Sequence, residues 1–129
     1  MRQYLGIEYK DFGRDKEGLD CWGLCVLIAK DIHKYDLPLL NNGYESATDG
    51  GSVHDLVEIE KLKEWVKVTE YEAGDIAVFR VAGFSCHVAT CVNKKEFIHI
   101  LAGSDVTIEK FDSLSWSNRL EGVYRRCKK

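Results

Sequence analysis

Apolar side chains at Cys21, Leu24, Cys25, Ile28 and Ile32 recur three and four residues apart, the spacing that lines one face of a helix. Asp20 stands where an N-cap belongs, with Gly18 ahead of it to free the entering backbone. The helix should end near His33–Asp36, before Pro38, the single proline. A second helix is predicted from about Ser52, an N-cap candidate with Asp55 three positions on, through Lys63; Val53, Leu56, Val57 and Leu62 would form its buried face. From Gly74 the period shortens. Asp75–Arg80, His87–Val92, Glu96–Leu101 and Val106–Phe111 are short, β-branched and aromatic runs separated by turn-like stretches, and Gly122–Arg126 is a candidate last strand. Helices first and strands afterwards predict an α+β domain, with N-terminal helices packed on a small antiparallel sheet.

The chain has 129 residues and 14.7 kDa, which suits one domain spanning residues 1–129. With 18 Lys and Arg against 21 Asp and Glu the net charge is −3, so the basic footprint of nucleic-acid binding is missing. Like-charge runs are short, and the longest apolar run, Leu24–Ala29, falls far below the ~20 residues that span a bilayer. Neither nucleic acid nor membrane is an expected partner. The N-terminal stretch has no apolar segment of signal-peptide length, which predicts synthesis as a cytoplasmic product. Five cysteines (Cys21, Cys25, Cys86, Cys91, Cys127) make an odd number, so reduced thiols are expected rather than a disulfide framework.

Cys21 occupies the first turn of the Asp20-capped helix, where unpaired N–H groups favour an anion and lower a thiol's pKa. That is what a nucleophilic cysteine needs; a small buried thiol is the plainer reading of the same position. His87 and His99 lie in adjacent predicted strands. An odd hairpin loop, three residues (Val92–Lys94) or five, sets them directly across from each other on one face, whereas a two-residue turn sends them to opposite faces. Facing imidazoles can share a hydrogen bond, one orienting the other as a general base. His33 and His54 read as solvated. Cys21, Cys25, Cys86, His87 and Cys91 could also be drawn as a zinc site. However, Cys21 and Cys25 have helical rather than knuckle spacing, and Cys86 and His87, as strand neighbours, point to opposite faces.

The stretches GRDKEGLDCWGL, GDIAVFR and HVATCVNKKEFIHI resemble the NlpC-type cell-wall cysteine peptidases of the papain-like superfamily, over Tyr4 to about Leu101. The resemblance implies that fold, with Cys21 as nucleophile, His87 as base and then acid, and His99 as the orienting third member. It implies cleavage of γ-D-glutamyl bonds in peptidoglycan stem peptides, with no metal or cofactor. Asp20 matches the family's acidic residue before the nucleophile, and Tyr9 resembles a tyrosine bordering the cleft near the oxyanion site. Here that element runs Tyr9–Arg14, one residue longer and with Arg14 replacing a glycine. Trp22, beside the nucleophile, is the aromatic best placed to touch substrate; Lys10, Arg14 and Arg80 are candidates to meet a substrate carboxylate. Trp22, the Gly13-Arg14-Asp15 lead-in and Leu37-Pro38 resemble the phage tail-associated members, implying tail-tip proteins as partners and action at the bacterial wall. An amidase, an acyl or transpeptidase exchange, and a non-catalytic tail or wall-binding module stay open beside the peptidase.

Overall fold

A computed structural model of the chain describes residues 2–10, 13–34, 65–81, 84–101 and 103–126. The expected Ser52–Lys63 helix, His54, Pro38 and Cys127 lie outside these residues, as does the side chain of Cys86. Among them the chain forms one α-helix, α1 (Cys21–Asp31), and eight strands. β1 (Arg14–Asp15) and β2 (Gly18–Leu19) make a small hairpin. The other six, β3 (Trp65–Val68), β4 (Ile76–Val81), β5 (Phe84–Cys91), β6 (Glu96–His99), β7 (Thr107–Lys110) and β8 (Leu120–Arg126), form an antiparallel sheet in the order β3-β8-β4-β5-β6-β7. The α+β expectation holds, although the β1–β2 hairpin and β3 were not read from the sequence.

α1 forms where the local pattern placed it. The Asp20 carboxylate accepts from the Gly23 amide at 2.7 Å, and the first helical bond runs from the Leu24 amide to the Asp20 carbonyl at 3.0 Å. Two sides of the helix are buried. Leu24 and Ile28 pack with Tyr4, Leu19, Ile98, Ile100 and Val106, while Cys21, Trp22, Cys25, Val26 and Ala29 pack with Ile76, Val78 and Val88. Tyr4 adds a polar tie, its hydroxyl donating to Asp31 at 3.1 Å near the helix's far end.

Strand alternation sends the remaining apolar residues to the other face of the sheet. There Ala77, Phe79, Ala89, Cys91, Phe97 and Val123 form a second layer of core, closed by Trp116 from the segment between β7 and β8. Both faces of β4 and β5 are thus covered, which accounts for their nearly continuous apolar sequences.

Gly74 and Asp75 secure the start of β4. Asp75 accepts from Arg125 of β8 at 2.9 and 2.8 Å and from the Glu72 amide at 2.9 Å. Gly74 has φ +97°, and a Cβ there would lie 2.9 Å from the His33 ring. His33 is therefore not the solvated residue expected: its ring packs beneath this turn, and burial lowers its pKa while Asp75 pulls the other way. Gly74→Ala is expected to cost about 1–3 kcal/mol, from strain at positive φ and displacement of that ring, read as a shift in the urea midpoint at unchanged slope.

Candidate active site

His87 comes from β5 and His99 from the end of β6. Next to His87 the β4–β5 ladder shifts register, Phe79 pairing with His87 but Arg80 with Ser85, so a bulge re-aims the chain there. The β5–β6 register pairs Thr90 with Ile98 and Cys91 with Phe97. That corrects the directly opposed pairing of the histidines. The loop has three residues as anticipated, but they are Asn93–Lys95. The Asn93 side-chain oxygen accepts from the amides of Lys95 and Glu96 at 2.8 and 2.9 Å and pins the turn one residue further on. The histidines keep a common face but are diagonal neighbours.

The diagonal suits them. His87 Nε2 and His99 Nδ1 are 2.9 Å apart, and the rings meet edge-on at 72°. The relay continues beyond the pair. His99 Nε2 lies 2.5 Å from Oε2 of Glu109 on β7, and the Trp116 indole Nε1–H donates to the same oxygen at 3.0 Å. A carboxylate only accepts, so His99 Nε2 is the donor there. His99 Nδ1 then accepts from His87 Nε2–H, and His87 Nδ1 keeps its lone pair.

Trp116 also roofs the pair, stacked at 5.3 Å on His87 and edge-on at 4.9 Å to His99, with the Arg119 guanidinium over its own ring. His87 and His99 are 5% and 1% exposed. Burial, with a smaller push from His99, drives the His87 pKa down to about 3. Burial also lowers that of His99, against the pull of Glu109. Both rings are neutral at pH 7, the state a general base requires.

Cys21 opens α1 directly after its Asp20 cap and packs in the cluster that holds Val78 and Val88, the latter adjoining His87. Tyr9 is half-buried; its backbone bridges to Leu19, two residues ahead of Cys21, and its amide donates to the Ser104 carbonyl at 3.0 Å. Gly13 belongs to the same crossing, because a Cβ there would fall 2.2 Å from the Gly18 carbonyl oxygen. Trp22 is buried in the core with 8% exposure, whereas Lys10 and Arg80 are exposed. Burial pushes the Cys25 and Cys91 thiols up to about 12, leaving both protonated at neutral pH. Among the described residues no group of three or more His, Cys, Asp or Glu side chains is arranged to hold a metal ion.

Glu109 escaped the sequence reading, and so did the bond that Trp116 makes to it. For Glu109 a signal existed: it shares strand parity with the face opposite Val106 and Ile108, the face on which Phe97 and His99 lie.

A model of the NlpC/P60 family matches residues 6–125. The chain is 25% identical to an Escherichia coli protein named murein DD-endopeptidase MepS/murein LD-carboxypeptidase, over 97% of its own length and 60% of that protein's. It is 23% identical to a probable endopeptidase NlpC homolog of Haemophilus influenzae, over 89% of this chain and 53% of that one. It therefore spans less than two thirds of either relative. Among solved structures, the NlpC/p60 domain of the peptidoglycan hydrolase SagA matches with TM-score 0.65 and 19% identity, covering 95% of this chain and 90% of that one. A lipoprotein-like NLP/P60 family protein of Staphylococcus aureus matches with TM-score 0.68 and 22% identity, covering 99% of this chain and 39% of that one. These likenesses show the fold.

Proposed function

The chain belongs to the NlpC/P60 family, and on that premise we propose that it is a cysteine peptidase acting on peptidoglycan stem peptides, at the γ-D-glutamyl bond, through Cys21, His87 and His99. The observation carrying this reading is the buried His87–His99 relay, whose direction leaves His87 Nδ1 able to take a proton. Cys21 Sγ gives its proton to that nitrogen and attacks the amide carbonyl. His87 returns the proton to the leaving amine, then activates the water that clears the thioester. The developing oxyanion meets the positive end of α1 at the Cys21 amide, with Tyr9 as the candidate second donor. Asp20 holds the helix start in place, and Trp22 anchors it in the core. No metal or cofactor has a part in this scheme.

The substrate assignment draws on the family and on the names borne by the relatives. The Gly13-Arg14-Asp15 lead-in and Trp22 support a place among phage tail-associated members, acting at the bacterial wall with tail-tip proteins as partners.

Digestion of defined muropeptides, with products weighed by mass spectrometry, tests the proposal. The expected products part the stem peptide between D-glutamate and the diamino acid that follows it. Intact muropeptides, or cleavage at the sugar–peptide amide, would overturn it. Of two further variants, His87→Ala should lose more kcat than His99→Ala, because a base is removed in one and its orienting partner in the other. Wild-type kcat in His99→Ala would take His99 out of the site.

A further inference from the structure

We propose that Glu109 is a positioning residue for this reaction: its carboxylate, held by Trp116, sets the direction of the proton relay through both histidines. The inference rests on the peptidase reading above and deepens it by a fourth participant.

The argument turns on the near-symmetry of a histidine pair. Joined only by His87 Nε2 and His99 Nδ1, the rings could carry the shared proton on either nitrogen. If His99 Nδ1 held it, His87 Nε2 would accept, and His87 Nδ1 would carry the ring's own proton. That tautomer cannot take a proton from a thiol. Glu109 removes the ambiguity, because its Oε2 receives two N–H groups, from His99 and from Trp116. The indole is a donor only, which marks Oε2 as an acceptor independently of either histidine. A proton is thereby held on His99 Nε2, the neutral ring has none left for Nδ1, and His87 must donate from Nε2. The same carboxylate favours the imidazolium that forms on His87 during turnover.

The fold builds this arrangement deliberately. Glu109 pairs across β6–β7 with Phe97, which places it diagonal to His99 on the covered face. Trp116 is 4% exposed and reaches Glu109 from a segment of consecutive turns, in which its amide and that of Ser117 bond to the Ser113 carbonyl. The Glu109 side chain keeps 34% of its exposure, so it stays in touch with solvent while the rings it governs do not.

The test combines a rate with a ring-nitrogen signature. In ¹⁵N-labelled Cys21→Ala protein at pH 7, NMR should show both His87 and His99 neutral and protonated at Nε2. Adding Glu109→Ala should move His87 into a mixture with substantial Nδ1–H. In the otherwise wild-type protein, Glu109→Ala should lower kcat about 10- to 100-fold with KM within about twofold, the range over which losing the hydrogen-bond partner of a metal-ligating histidine acts. Glu109→Gln keeps an acceptor oxygen and the side chain's shape. It should retain Nε2–H on both rings and still lose about tenfold in kcat, from the missing charge. Should Glu109→Ala fail to fold, Glu109→Gln decides alone, and wild-type kcat in it overturns the proposal. Lower kcat in Glu109→Ala with the His87 tautomer unchanged also overturns it, because a merely structural residue would do that. Wild-type protein inert on muropeptides would sink the peptidase reading, while the tautomer comparison would still show whether Glu109 directs the pair.

Discussion

Cys21→Ala is expected to cut release of free amino groups from purified peptidoglycan by at least about 10⁴-fold, the scale on which nucleophile deletions act. No other described thiol can substitute. Cys25 and Cys91 are buried, and their pKa values of about 12 leave almost no thiolate at neutral pH. Neither stands at a helix start, where the dipole would favour the anion. The fold should barely notice the change. Asp20 makes its cap through the Gly23 amide, and losing one small buried atom costs about 1 kcal/mol or less. Amine release measured beside thermal unfolding separates the two effects. A Cys21→Ala protein as active as the wild type would place the nucleophile elsewhere.

Acidification is expected to destabilise the protein from about pH 6.5 downward, ahead of ordinary carboxylate titration. In the folded chain burial holds His87 near 3 and lowers His99 as well, whereas both titrate near 6.5 once unfolded. Between those values the unfolded chain binds more protons. The stabilisation is therefore fully present above about pH 6.5 and is lost as pH falls toward 3. His87, staying neutral in the fold, costs roughly 1.4 kcal/mol per pH unit across that window. For His87 alone the step from pH 6.5 to 5 amounts to about 2 kcal/mol, a large share of a small domain's stability. Urea titrations at pH 7.5, 6 and 5 read this directly. His87→Gln should flatten the dependence by about one proton. Parallel curves for the two proteins would mean that the folded chain protonates His87 without penalty.

Much of the site was legible because its parts obey local rules. An acidic cap before an apolar stripe at helical spacing placed Cys21 in the first turn of α1, and the cap bond forms as expected. Alternation across two strands put His87 and His99 on one face, and the parity of an odd loop protected that inference from a shift of one pair. Their contact partner within the hairpin was misjudged, because Asn93 sets the turn through its own side chain and the sum of strand lengths carries no trace of that. His33 was misread for a different reason: it follows the helix, but Gly74, forty-one residues later in the chain, packs over its ring.

From its order of residues alone, this chain determined the capped helix, the antiparallel strands and the parity that aligns two imidazoles, since each depends on backbone periods of a few residues. Tertiary structure decided what surrounds those imidazoles. A strand's alternation separates two faces without saying whether the second meets water or another layer, so parity alone leaves unsaid what Glu109 meets. Only when the segment after β7 folds back does Trp116 close that face, bury the rings and give Glu109 a second donor. Burial and long-range hydrogen bonding depend on which distant residues arrive, and a periodic pattern cannot encode that arrival.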